Sequence, residues 1–255
     1  ERGKDAYYVH HSVVTGKEFL PGPEATYFVP SEVGAEHIRE IHGDVELPTL
    51  EITGRPYIDE RYDGANPDVS SSSTPSDVVV MVATQPYRDE VRETLIRRVS
   101  DAVGQSPAID AVSVKTHPSE SEAFYGNLVD DADADTPAVS VSGSGLGEEI
   151  ERSSLVVTIN SNVGLEAMIE GTPAVCYNEW HPSIQNKPYT RSDLIPVFDS
   201  PEDFAEFFNS LTADDLDNLR RDQTRYARDQ FLGGGSSAKR IAEHVLAGSV
   251  EERTN

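Results

Sequence analysis

The chain has 255 residues, enough to bury one large hydrophobic core or two modest ones. Acidic residues number 45 against 21 basic ones, giving a net charge of −24 spread along the whole chain, and only five of the basic residues are lysine. Such a coat repels phosphate backbones and excludes general nucleic-acid binding, and with scarce lysine it points to a protein of a salt-rich cytoplasm.

The first 59 residues read strand, loop, strand, helix, strand. Tyr7–His11 and Ala25–Val29 are strand candidates, and Ser31 caps a helix running to Ile41. Glu32 and Glu36 lie early in that helix, where the helix dipole favours carboxylates. Leu50–Thr53 is a third strand, leading into Gly54-Arg-Pro-Tyr-Ile-Asp59. Three strands and one helix make a thin independent unit, so this segment reads as the closing part of a larger α/β domain. Residues 60–76, with Asp63-Gly-Ala-Asn-Pro67 and Ser70-Ser-Ser-Ser-Thr-Pro75, form a linker.

A regular alternation follows over 77–200. Strands are expected at Val78–Ala83, Ala111–Thr116, Val139–Val141, Leu155–Ile159, Pro173–Tyr177 and Leu194–Phe198. Helices are expected at Asp89–Val103, Ser119–Val129, Leu146–Ser153 and just after Asn162, with Val91, Leu95 and Val99 at core spacing in the first. Asp130–Asp135 is a solvated acidic insert. Leu155–Ile159 and Pro173–Tyr177 are apolar on both faces, as strands of a helix-covered parallel sheet are. Cys176 lies in the second of these as a buried small hydrophobe, and as the only cysteine it excludes an internal disulfide. Helices over 201–250 complete the chain, interrupted at Gly233-Gly-Gly-Ser-Ser237. The pattern predicts a doubly wound, Rossmann-like α/β fold with right-handed crossovers.

In such sheets ligands bind beyond the carboxyl ends of the strands. Those ends carry Ala83-Thr-Gln-Pro-Tyr-Arg88, Lys115-Thr-His-Pro118, Ser142-Gly-Ser-Gly-Leu-Gly147, Asn160-Ser-Asn162 and Asn178-Glu-Trp-His181. This set suits a phosphorylated nucleoside. Asn160, Ser161 and Asn162 stand where a strand meets a helix start, a place that stabilises anions, and Gly164 lets that helix approach the sheet. An ordinary helix cap is the competing explanation. His117 reads as a phosphate donor stiffened by Pro118, or as a buried structural histidine; Lys115 is a local cation in an acidic field. Gln85, Gly143 and Gly145 sit where a base or ribose would lie, although a plain turn explains the glycines equally well. Glu166, expected in the first turn of its helix, either complements the dipole or holds two ribose hydroxyls. Trp180 and Tyr189 are loop aromatics suited to stacking on a base or to packing. The seven histidines are dispersed without metal-ligand spacing, so no metal site is expected.

Lys115-Thr-His-Pro118, followed by Thr158–Ala167 and Gly171-Thr-Pro173, resembles the donor-binding half of GT-B glycosyltransferases. The nearest resemblance is to capsule and surface-polysaccharide enzymes, polysialyltransferases and teichoic-acid glycerophosphotransferases. Glu51–Asp59 is similar to the passage joining the two GT-B domains, which the UDP-sugar 2-epimerases share. The resemblance covers roughly residues 25–200 and implies a C-terminal donor domain behind part of an N-terminal one. It implies transfer of a sugar or sugar-like group from a nucleotide-activated donor to the hydroxyl of a glycan or lipid-linked acceptor. That transfer would need no bound metal and no tightly held cofactor, the nucleotide-sugar being a co-substrate. His117 and Ser161 would meet the donor phosphates and Glu166 the ribose. The acceptor-side base would come from His10 or His11, at a strand end facing the expected cleft, where a structural histidine is the alternative. Asn160-Ser-Asn162 departs from the aspartate-rich turn of the teichoic-acid enzymes and from the Asp-Ser-Gly-Gly of the epimerases. A UDP-sugar 2-epimerase relative and a noncatalytic nucleotide- or glycan-binding module are the other readings.

The sequence has no run of about 18 apolar residues and no charged-then-apolar leader, so the expected location is cytoplasmic. The arginines of the final helices (Arg220, Arg221, Arg225, Arg228) suit a second chain, the first domain or an anionic membrane surface. Oligomeric state is not set by the sequence.

Overall fold

The computed structural model describes residues 6–9, 20–56, 59, 77–104, 106–130, 138–231 and 236–251. It divides into two compact units: residues 1–67, 187–189 and 226–255, and residues 68–186 and 190–225. The linker expected at 60–76 and all of the acidic insert but Asp130 lie outside the described residues, as do His10 and His11.

The second unit holds a six-stranded, all-parallel sheet of β4 (Val79–Ala83), β5 (Ala111–Lys115), β6 (Ala138–Val141), β7 (Leu155–Thr158), β8 (Ala174–Tyr177) and β9 (Val197–Phe198). Its spatial order is β6-β5-β4-β7-β8-β9, the doubly wound order in which the chain reverses direction across the sheet between β4 and β7. The register sets Val80 beside Leu155 and Ala83 beside Thr158, so the carboxyl ends of the two switch-point strands are level. Helices α2 (Asp89–Gly104), α3 (Glu122–Asp130), α4 (Leu146–Arg152) and α5 (Asn162–Glu170) lie between successive strands, and α6 (Pro201–Ser210) follows the last of them. Val80, Val82, Val114, Leu155, Val157 and Val175 are buried on the sheet, with Leu95, Val99 and Phe208 among the helical residues of the same core. Each such aliphatic side chain contributes about 1.5–3 kcal/mol relative to exposure.

In the first unit β1 (Tyr7–Val9), β2 (Thr26–Val29) and β3 (Thr49–Ile52) form a parallel sheet in that order. The helix α1 (Glu32–Ile41) joins β2 to β3, and Ser31 caps it by accepting the Gly34 N–H at 3.1 Å. The long α7 (Ala213–Phe231) precedes α8 (Ser237–Glu251), which belongs to this first unit. His244 of α8 stands edge-on to Phe28, with ring centres 5.3 Å apart. The carboxylate of Asp59 accepts the Ser237 N–H at the start of α8, and Arg240 donates to the Thr53 carbonyl at 3.1 Å. Thr53 and Asp59 thus hold the first turns of the last helix.

Helix α5 ends on Gly171, at φ +100°, whose N–H returns to the Ala167 and Met168 carbonyls. A Cβ added there would meet nothing within 4 Å, so substitution is opposed by backbone torsion alone. Gly171→Ala is therefore expected to cost about 1–2 kcal/mol in chemical denaturation with an unchanged near-UV spectrum. A cost near zero would mean that the helix end can refold without the left-handed residue.

Candidate functional site

The strand ends at the switch point are tied to one another by side chains. Asn160, just past β7, is almost fully buried and has its amide and backbone engaged. Its Oδ1 accepts from the Tyr87 hydroxyl at 2.8 Å, and its Nδ2 donates to the Gln185 carbonyl at 2.7 Å. Its backbone N–H reaches Gln85 Oε1 at 3.3 Å, so both Gln85 and Tyr87 of the β4 loop grip the β7 loop. Burial raises the Tyr87 hydroxyl pKa, and the bond to Asn160 partly opposes this. The phenol therefore stays protonated as the donor.

The next residues are organised as a helix start. Ser161 N–H donates to Thr158 Oγ1 at 3.1 Å, and Ser161 Oγ accepts the Val163 N–H at 3.2 Å. Asn162 is the first residue of α5 and Gly164 is buried on it. Ser161 is therefore the cap of α5, and this is compatible with an anion above the remaining N–H groups. Because the cap is Ser161, Glu166 falls in the second turn of α5, not the first as the sequence suggested, and is half-buried there. Its carboxylate is thus beyond the strongest part of the helix dipole.

Beyond β5, His117 and Pro118 are exposed, which removes the buried-histidine reading. The Ser119 N–H donates to His117 Nδ1 at 3.2 Å, and Ser119 Oγ lies 2.8 Å from the same nitrogen. An Nδ1 that accepts a backbone N–H leaves the proton of the neutral ring on Nε2, which is then the donor available to a ligand. Lys115 donates from Nζ to the Ser144 carbonyl at 2.7 Å, so one of its three N–H groups fixes the neighbouring β6 loop.

That loop, Ser142–Gly145, is also held from below by Glu149, whose side chain is completely buried. The Ser142 hydroxyl donates to Glu149 Oε2, and Arg152 Nη2 donates to Glu149 Oε1 at 2.7 Å. Desolvation pushes the Glu149 carboxyl pKa up, but bonds from Ser113, Ser142 and Arg152 outweigh it and leave the value lowered. A lowered folded pKa means that this carboxylate stabilises the fold above its unfolded value near 4.5, and the contribution is lost as pH falls through the folded value. Glu149→Gln is accordingly expected to be less stable than the parent at neutral pH, the gap closing below pH about 4.5. Thermal melts of both proteins across that range check this; a gap that is constant with pH would refute it. A Cβ on Gly143 would meet nothing within 4 Å, so the loop surface is open.

The aromatic candidates divide. Tyr189 is fully buried with its carbonyl accepting from the Tyr226 hydroxyl at 3.1 Å, so it cannot stack on a base. Trp180 packs edge-on to Tyr177, with ring centres 6.2 Å apart, and belongs to the core rim.

Sequence reasoning missed Glu120. Its side chain is 1% exposed and satisfies four donors: Thr84 Oγ1 at 2.5 Å, His117 N–H at 3.0 Å, Tyr125 hydroxyl at 2.6 Å and Arg92 Nη1 at 3.3 Å. The helix expected from Ser119 starts instead at Glu122, because residues 117–120 form a turn closed by Glu120 N–H on the His117 carbonyl at 2.8 Å. A glutamate three residues after the histidine was the available signal. Among the described residues no group of three or more His, Cys, Asp or Glu side chains is arranged to hold a metal ion, and no helix is long and apolar enough to cross a membrane.

No protein-family model and no curated protein matches the chain. Solved structures do. The chain is similar to the wall teichoic acid polymerase TagF soaked with CDPG, at 17% identity and TM-score 0.51 over 90% of this chain and 58% of that one. It is also similar to S. aureus TarM in complex with fondaparinux, alpha-GlcNAc-glycerol and UDP, at 13% identity and TM-score 0.57 over 95% and 50%. A putative UDP-N-acetylglucosamine 2-epimerase from Listeria monocytogenes matches at 14% identity and TM-score 0.56 over 89% and 60%. The chain thus spans a half to three fifths of the length of the structures it matches. At these identities the likeness is one of architecture, and together with the strand order it gives the chain an α/β Rossmann-like fold of the GT-B type.

Proposed function

We propose that this chain carries the nucleotide-sugar donor site of a transferase that builds a surface polysaccharide or glycoconjugate. The observation that carries the reading is the switch point itself. There a capped helix start (Ser161 on α5) and a histidine with its Nε2 proton directed away from its own turn stand at the carboxyl ends of parallel strands. This is the place and chemistry for a diphosphate or monophosphate leaving group, stabilised by N–H donors without a required metal. His117 and the α5 N–H groups would take the phosphates, with Lys115, Pro118, Asn160, Asn162 and Gly164 shaping that surface. Glu166 would take the ribose, and Gln85, Gly143 and Gly145 would border the base. A neighbour of the same fold carries UDP and another was soaked with CDPG, which supports a nucleotide-activated donor. The acceptor would be a glycan or lipid-linked hydroxyl, with His10 or His11 as its base, and the protein cytoplasmic or membrane-peripheral.

The likeness to an epimerase supports a second reading, in which UDP-GlcNAc is isomerised without an acceptor. Asn160-Ser-Asn162 in place of Asp-Ser-Gly-Gly weighs against it. The deciding experiment is a thermal-shift panel in high salt with UDP, CMP, CDP, GDP and dTDP, alone and as their sugars. A nucleotide at one hundred times its Kd stabilises by about 2.7 kcal/mol, worth several degrees for a chain of this size. Selective stabilisation by one nucleotide is the expected result. No shift with any of them, for a folded protein, would sink the donor site and favour a noncatalytic module.

A further inference from the structure

The turn bearing His117 is not held by its own residues alone. Glu120 has four lone-pair positions on its carboxylate, and the four donors already named fill them. Its two oxygens do different work. Oε1 faces Tyr125 and Arg92, whose guanidinium also lies 4.1 Å above the Phe124 ring; these are packing partners on α2 and α3. Oε2 faces the strand ends, taking the Thr84 hydroxyl and the His117 N–H. The same His117 N–H lies 3.2 Å from Thr84 Oγ1, so the ends of β4 and β5 are locked through one buried carboxylate.

We propose that Glu120 is the positioning residue of the site: through Oε2 it fixes the 117–120 turn, which keeps the Ser119 N–H on Nδ1 and the Nε2–H free for the donor phosphate. This rests on the reading of His117 as a phosphate contact. What the site needs from Glu120 is an acceptor, not a charge. A glutamine can turn its oxygen toward Thr84 and His117 and its amide toward the Tyr125 oxygen, which then accepts where it donated before, giving up the Arg92 pair and the acceptor of the Tyr125 proton. Alanine removes the acceptor and leaves the turn free to move. Tyr125→Phe strips a bond from the Oε1 side only.

The test compares Glu120→Ala, Glu120→Gln and Tyr125→Phe by two measurements. The first is the long-range 1H–15N spectrum of the His117 ring in the free protein, assigned by its loss in His117→Ala. The second is affinity for UDP and CDP in high salt. Glu120→Ala is expected to average the two ring tautomers and weaken nucleotide binding about tenfold. Glu120→Gln and Tyr125→Phe are expected to melt earlier yet keep the single tautomer and affinity within about threefold. Should Glu120→Ala not fold, Thr84→Val removes the hydroxyl beneath the His117 N–H and is expected to blur the ring signal with a several-fold loss of affinity.

An unchanged ring spectrum in Glu120→Ala, or in Thr84→Val if that is the folded variant, overturns the proposal. So does a loss of affinity in all variants that merely follows their loss of stability. If the parent binds neither nucleotide, the donor reading fails, while the ring spectra still decide whether Glu120 positions His117.

Discussion

Replacing Gln223 by Leu is expected to remove about 3 kcal/mol or more of stability, the largest loss from any single side chain considered. Gln223 lies on α7, fully buried. Its Oε1 accepts the Ala174 N–H at 2.7 Å, and its Nε2 donates to the Ala174 carbonyl at 2.9 Å and the Leu194 carbonyl at 2.9 Å. The reason lies in the sheet. On one side β8 pairs with β7 from Ala174 onward, but on the other β9 begins only opposite Cys176. At Ala174 the ladder has no strand neighbour on that side, and the carboxamide stands in for the missing peptide. Leucine fills the volume but leaves one N–H and two carbonyls buried without water, each costing about 1–3 kcal/mol. Gln223→Glu gives a sharper check. Its carboxylate would face two carbonyl oxygens, so the acid is favoured in its protonated form and its pKa is raised in the fold. The penalty is then present at neutral pH and relieved as pH falls through that raised value. Urea unfolding of both variants measures this; a loss below about 1 kcal/mol for Gln223→Leu would mean that water replaces the amide.

The alternation of apolar strands and amphipathic helices was legible because each element carries its own period. Leu155–Thr158 and Ala174–Tyr177 are buried along their whole length, as runs without polar alternation must be. Ser31 was readable as a cap for the same local reason, whereas the turn at Asn160–Asn162 left open which residue caps α5. Elements decided by distant partners were not. β9 was expected to run from Leu194 but pairs only at Val197 and Phe198, its approach being occupied by the Leu194 carbonyl on Gln223. α8 begins at Ser237. Its start is fixed by Asp59, far away in sequence.

Within the candidate site, the residues at strand ends could be named from the sequence because position along a parallel strand fixes which end a residue occupies. What holds them in place could not. Glu120 and Glu149 were not singled out, and the hold of Tyr87, though it stands at a strand end, was not legible, because each acts across a gap in sequence. Glu120 reaches Thr84, Glu149 closes on Ser142, and Tyr87 meets Asn160. A charge such as Glu149, in a chain with 45 acidic residues, reads as one more solvated carboxylate. Only burial, with Arg152 and two serine hydroxyls around it, distinguishes it. The general acidity thus hides the few carboxylates that organise the loops, while it makes Lys115 stand out. Even Lys115 has an internal role on the Ser144 carbonyl, so cationic residues in such a protein serve the loop before any ligand.

Removing the imidazole of His117 is expected to weaken nucleotide binding at least tenfold, about 1.4 kcal/mol, with the melting temperature almost unchanged. The two expectations separate because His117 is exposed, so its deletion opens no cavity. What is lost is one donor. With Ser119 N–H on Nδ1, the ring presents Nε2–H to a phosphate as a short, charge-assisted hydrogen bond. A directional bond of this kind depends on contact geometry more than on long-range attraction. Its contribution therefore survives the high salt that screens exposed charges. His117→Asn shortens the side chain and is expected to bind as poorly as His117→Ala, while Ser119→Ala keeps the backbone N–H and is expected to bind nearly as well as the parent. Calorimetric titration of these variants with the nucleotide selected by the thermal-shift panel provides the comparison. An affinity in His117→Ala equal to the parent's would take His117 out of the site. The phosphate would then have to rest on the α5 N–H groups, a site that Ser161→Ala would test through the loss of its cap on Val163.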